Sequence, residues 1–156
     1  MTTTKKLILF QTDAGWPGLV LRIMLGVAMF PHGAQKLFGW FGGHGLSATI
    51  AMFADNMHIP APLTILVVLG ESLGAVGLVF GLLTRVAAFG ILSSMVGAAA
   101  LVTWPNGFFM NWFGKQAGEG IEYHLLAIAI SVALLIGGGG RWSVDRLIAS
   151  ARRKTR

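Results

Sequence analysis

The sequence predicts an all-α membrane protein, a single domain over 1–156 built as a four-transmembrane-helix bundle with two shorter helices at its edges. Three observations predict it. Of the 156 residues, 54% are hydrophobic and only 12% charged, with a mean hydropathy of +0.71; a soluble domain carries roughly twice that share of charge. Four apolar runs approach or exceed the ~20 residues that cross a bilayer core. The basic residues are distributed asymmetrically. If the termini share one side, nine of the 12 Lys and Arg lie there: Lys5, Lys6, Arg85, Arg141, Arg146, Arg152, Arg153, Lys154 and Arg156. Lys36 and Lys115 lie on the other side, and Arg22 lies within the first run. Basic flanks are retained in the cytoplasm, so both termini are expected inside.

The first span is expected over 16–40, where Pro17 suits a first helical turn. The second covers 62–83, and the third, 86–104, contains no charged residue. The fourth covers 121–139 and stops in the run Gly137–Gly140. Trp16, Trp40, Trp104, Trp112 and Trp142 fall near the expected boundaries, where indole rings favour the interface. Between the first two spans, Leu46, Ile50, Phe53 and Met57 recur at helical spacing and predict a short interfacial helix within 42–59. A polar-aromatic loop over 105–120 holds Asn106, Phe108, Phe109, Asn111 and Trp112. After Trp142, Ser143 is placed to cap a basic amphipathic helix whose Val144, Leu147 and Ile148 rest on the membrane. Leu7–Phe10 is too short for the apolar core of a signal peptide, and Gln11, Thr12 and Asp13 interrupt it. A bacterial-type inner (plasma) membrane is the expected location.

Composition also excludes chemistries. With no cysteine, the chain can supply no disulfide, thiolate nucleophile or thiolate-held cluster. The net charge of +6 sits beside the spans, which points to topology and anionic lipid rather than to nucleic acid. No nucleophile triad, phosphate loop or dinucleotide fingerprint is present, and His44 and His58 lack the further ligands a metal needs.

The candidate site rests on the few polar groups inside the spans. Glu71 stands alone in the apolar run from Leu63 to Leu83, and a carboxylate at such depth costs on the order of 3 kcal/mol unless neutralised or paired. Arg22, Gly26, Met29, Gly33 and Lys36 step along one face of the first helix, with His32 on its flank, so this face is expected to point into the bundle. Pro31 suggests a kink beside His32. Gly70, Gly74, Gly77 and Gly81 form a small-residue stripe that lets the second helix approach a neighbour. Depth counted from each helix end suggests a Lys36–Glu122 pair and an approach of Arg22 to Glu71. Two readings follow. The ion pairs fix helix register and do nothing else, or a polar chamber lined by His32, Lys36, Glu71, Glu122 and His124 opens outward and binds a small polar ligand. Haem between His32 and His124 is disfavoured, because few small residues surround them.

Taken in order, Arg22-Ile-Met-Leu-Gly26, His32-Gly33-Ala-Gln-Lys36-Leu-Phe-Gly39-Trp40, Glu71-Ser72, Gly81-Leu-Leu-Thr-Arg85, Glu122 and Gly140-Arg-Trp-Ser143-Val-Asp145 resemble the DoxX family of small four-helix membrane proteins. The resemblance runs from Leu19 to Leu147. It implies a membrane redox subunit: relatives are associated with quinone-coupled thiosulfate oxidation and with complexes that resist oxidative or thiol stress. A quinone is then the expected cofactor. Glu71 and His32 are the catalytic candidates, and Arg22, His32, Lys36, Glu71, Trp104, Glu122 and His124 the ligand-binding ones. Arg22 would balance Glu71, and Glu122 would pair Lys36. Electrons would come from a protein partner, with homo-oligomerisation open and enzymatic activity undecided. The alternative is a non-catalytic membrane scaffold or receptor that recruits a partner through Phe108, Phe109 and Trp112.

Overall fold

Local backbone chemistry marks where α-helices of the chain begin and end at several points. The computed structural model describes residues 8–10, 12, 13 and 15–154. Lys5, Lys6, Leu7, Gln11 and Arg156, and the side chains of Arg152, Arg153 and Lys154, lie outside this description. Six α-helices and no strand are found among the described residues: α1 (Trp16–Phe38), α2 (Gly45–Met57), α3 (Ala61–Phe80), α4 (Thr84–Ala98), α5 (Glu122–Gly137) and α6 (Val144–Lys154). α1 starts on Trp16-Pro17, runs unbroken through Pro31 and closes on Gly39 in the left-handed conformation. α3 closes in the same way on Gly81.

Three stretches are long and apolar enough to cross a membrane: Trp16–Phe38, Ala61–Phe80 and Thr84–Asn106. The last is α4 continued by a π-helical turn, Ala99–Thr103, and a 3₁₀ turn, Trp104–Asn106. α5 is apolar but shorter, with 16 residues. The helices fall within a few residues of the four expected runs, although only three of these are long and apolar enough to span. α4 begins at Thr84 rather than 86 because the buried Asp145 carboxylate accepts the amides of Leu83 (2.7 Å) and Thr84 (2.8 Å) and nucleates its first turn.

Backbone contacts define two ends of the bundle. At one, Arg141 N donates to Gly15 O (3.1 Å), Asp13 N to Gly137 O (3.1 Å) and Asp145 N to Gly81 O (3.0 Å). The start of α1, the α3–α4 turn, the end of α5 and the start of α6 meet there. At the opposite end lie the close of α1, α2 and the 104–121 loop, which is tied back by Ile121 N to Gly107 O (3.1 Å) and Glu122 N to Phe108 O (2.9 Å).

α1 packs chiefly on α3, and α4 is sandwiched between α3 and α5. The contacts are built on small residues. A Cβ at Gly33 would sit 2.6 Å from Ser72 Cα, and one at Gly26 would sit 2.8 Å from Ala75 O. On the other side of α3, Gly70 faces Gly90 and Gly74 faces Ala87. Such surfaces let backbones approach and gain dispersion contacts without a hydrophobic driving force. Met29, Ala75, Leu78, Ala88, Ile91 and Leu134 fill the core between them.

Candidate ligand site

The close approach at Gly33 sets the level of everything around it. Glu71 precedes Ser72 on α3, so it lies against Gly33 of α1, and Lys36 sits three residues further along that helix. Lys36 Nζ and a Glu71 carboxylate oxygen form a direct ion pair, with the Lys36 side chain 25% exposed and that of Glu71 3% exposed. The lysine reaches in from the bundle end while its partner is sealed. This corrects the expected pairings of Lys36 with Glu122 and of Arg22 with Glu71. Depth counted from each helix's own terminus assumes level termini, whereas the Gly33–Ser72 contact slides α3 past α1.

Glu122, the first residue of α5, instead accepts the Met110 amide at 3.3 Å and holds the 104–121 loop to the helix. Arg22 lies 14 residues before Lys36, roughly 21 Å along the helix, and is only 2% exposed. Its guanidinium donates to the carbonyls of Gly139 (2.8 Å), Leu78 (3.0 Å), Val79, Arg141 (3.3 Å) and Trp142 (3.2 Å). Asp145 is the carboxylate in electrostatic contact with it. Arg22 is thus the centre of the terminal end and no part of the Glu71 site.

Three rings gather beside the ion pair. Tyr123 on α5 contacts His32 of α1 at 6.0 Å between centroids and His124 at 5.8 Å, edge-on to the latter. Glu71 interacts electrostatically with all three. The Tyr123 hydroxyl donates to Met29 Sδ at 3.3 Å, a weak acceptor that a better one readily replaces. His124 Nδ1 is buried, and the Gly120 carbonyl approaches it without good hydrogen-bond geometry. His32 is exposed at the bundle surface.

Of the candidates, the structure brings together His32, Lys36, Glu71 and His124. It places Glu122 one layer outward in the loop contact, Arg22 at the other end, and Trp104 in the 3₁₀ turn after α4, 68% exposed. Two residues with evident roles, Tyr123 and Asp145, were assigned none from the sequence. Tyr123 is the only tyrosine of the chain, and its neighbour His124 was the available signal. Asp145 lies within the motif Gly140–Asp145, but an acid at the start of an amphipathic helix reads as an ordinary first-turn charge. Among the described residues no three His, Asp or Glu side chains converge as a metal site.

Apolar helices long enough to span, packed through glycine and enclosing one carboxylate–ammonium pair, define a polytopic membrane protein with a polar centre near one end of its bundle. The DoxX family model matches residues 18–104, more than half of the chain, and the chain belongs to that family. It is also similar to a Bacillus subtilis (strain 168) protein named "Putative oxidoreductase CatD", at 24% identity over 135 residues, 86% of this chain and 89% of that one. No solved structure gives a significant match.

Proposed function

We propose that this protein is a redox-associated subunit of a bacterial-type inner membrane. On this reading it binds a quinone-like head group beside the Lys36–Glu71 pair and works with a partner oxidoreductase. α5 serves as the fourth span. It runs from the outer loop back to the terminal end, beside the longer α4, and its 16 residues are extended by Ile121 and the Gly138–Gly140 segment. α2 and α6 then lie at the two interfaces, with both termini cytoplasmic.

The carrying observation is that the buried carboxylate of Glu71 has a lysine, two imidazoles and a phenol as neighbours. The donor set suits a quinone. Lys36, His32 and the Tyr123 hydroxyl can each donate to a carbonyl oxygen, and the rings offer flat faces for a planar head group. When bound, a quinone supplies a two-electron, two-proton acceptor. Glu71 holds the Lys36 ammonium in place, and the imidazoles are suited to passing protons between the surface and the bound oxygen. The name of the Bacillus relative is in keeping with this reading.

The test is to purify the protein in its native lipids and extract bound small molecules for mass spectrometry. A stoichiometric quinone in the wild type, lost in Glu71→Gln and Lys36→Ala, is expected. Phospholipid alone in the wild type would defeat the reading.

One observation favours a second reading. The 104–121 loop is internally tied by Asn111 N to Glu119 Oε2 (2.7 Å), Gln116 N to Asn111 Oδ1 (3.0 Å) and Asn106 Nδ2 to Glu119 O (3.0 Å). It nevertheless leaves Phe109, Trp112 and Phe113 66%, 78% and 87% exposed. A shaped loop that presents aromatic rings suits recruitment of a membrane partner, and a scaffold role would use it without any ligand at Glu71.

A further inference from the structure

The terminal end of the bundle carries an arrangement that the quinone reading does not use. Trp142 adopts φ +55°, in the left-handed region that tryptophan rarely occupies. The backbone has a reason: this turn aims the carbonyls of Arg141 and Trp142 at the buried Arg22 guanidinium. Glycine would present the same carbonyls without the steric cost. The side chain therefore needs a separate reason, and it is 68% exposed.

The indole of Trp142 meets that of Trp16 edge-on at 5.2 Å. The Arg141 guanidinium lies 4.7 Å from the Trp16 ring centroid and 5.6 Å from that of Trp142. The Arg141 side chain makes these ring contacts and no hydrogen bond or ion pair among the described residues, so its five N–H donors are held in place without an acceptor. Next to it α6 presents Arg146, exposed, and Leu147, 65% exposed. The acid of that helix, Asp145, is 1% exposed and bound to the Leu83 and Thr84 amides, so it does not neutralise the surface.

We propose that Arg141, held against the edge-on pair of Trp16 and Trp142, is a binding site for the phosphate of an anionic phospholipid in the leaflet facing the chain termini. The chemistry is specific at each part. A planar guanidinium fixed by two indoles offers a bidentate fork to a phosphodiester. The indoles sit at the headgroup level that such rings favour, and Leu147 supplies apolar contact for the adjoining acyl region. The basic residues that follow on α6 raise the local concentration of anionic lipid, while Arg141 supplies the discrete site.

The full-length protein in a neutral detergent is titrated with phosphatidylglycerol, with phosphatidylcholine and with inorganic phosphate. Bound lipid is counted by native mass spectrometry, and the unfolding temperature is followed in parallel. The expected result is one tightly held phosphatidylglycerol and a rise in unfolding temperature that phosphatidylcholine does not give. Arg141→Gln lowers the apparent affinity on the order of tenfold, the worth of one charge-assisted contact. Trp142→Gly folds at least as stably as the wild type, because glycine relieves the left-handed strain, yet loses the same increment. Arg146→Gln loses far less. Equal responses to the two lipids would overturn the site. So would equal losses in Arg141→Gln and Arg146→Gln, which would mean a diffuse basic surface. A matching response to inorganic phosphate would assign the cradle to soluble anions instead of lipid. None of these readouts depends on a ligand at Glu71.

Discussion

The Lys36–Glu71 pair is unequal: one partner has a quarter of its side chain in contact with the surroundings, and the other is sealed against α1. A sealed carboxylate depends on its partner far more than the lysine does, because burial removes the alternative of water. Replacing Lys36 by Met leaves Glu71 without its ammonium and should lower stability by about 3 kcal/mol. Replacing both residues by Met removes the pair and the desolvation cost together, and should recover most of the loss. Thermal unfolding of the single and double variants in one detergent tests this. If the double variant is as unstable as the sum of the singles, the two groups are not coupled. The same experiment bears on function, since a stable double variant that no longer yields the proposed quinone would separate binding from folding.

At the scale of elements, glycine positions decide how closely helices meet, and the structure distinguishes them sharply. A Cβ at Gly33 would collide with the backbone of Ser72 at 2.6 Å, whereas one at Gly97 on α4 meets nothing within 4 Å. Gly33→Ala should therefore force α1 from α3 and cost about 1–3 kcal/mol. Gly97→Ala should be neutral or stabilising by up to ~1 kcal/mol through better helix propensity. Unfolding temperatures that fall equally in both variants would contradict the packing seen here. The sequence was legible at this level because 3.6-residue periodicity makes stripes visible: Gly26 with Gly33, and Gly70 with Gly74, read correctly as contact surfaces. Helix limits were legible through Pro17 and the Gly137–Gly140 run, whereas Gly39 and Gly81, which close α1 and α3, were read as lying within their spans. What periodicity cannot convey is the axial offset of one helix against another. Gly33 meeting Ser72 sets that offset, and it moved Glu71 from Arg22 and Lys36 from Glu122. The π turn at Ala99–Thr103 was equally silent, since its residues are ordinary helix-compatible ones.

Across the whole molecule, the terminal end is a knot that joins segments far apart in sequence. Arg22 from α1 gathers carbonyls of α3 and of the 139–142 turn, Arg85 of α4 reaches the Leu135 and Ile136 carbonyls at the close of α5, and Asp145 from α6 caps α4. Carbonyl acceptors leave no mark on a sequence, which is why a buried arginine in the first span was read as the counter-ion of a distant carboxylate. Asp145→Asn tests the knot with minimal change of shape. An amide offers one carbonyl oxygen where the carboxylate offers two acceptors, so either the Leu83 or the Thr84 amide is left buried and unpaired, at a cost of about 1–3 kcal/mol. The loss should be local in its consequences. α6 loses one of its ties to the α3–α4 turn and keeps the Asp145 N–Gly81 O bond, so proteolysis after the basic residues of 146–154 should accelerate severalfold. The Lys36–Glu71 end, separated from Arg22 by roughly 21 Å of α1, should keep the quinone proposed to bind there. Mass mapping of the first cleavage products decides the matter. Cleavage confined to the C-terminal segment, with the ligand retained, is the expected result. Cleavage in the 104–121 loop at the same rate would mean that the knot holds the entire bundle and that the two ends of the molecule are one cooperative unit.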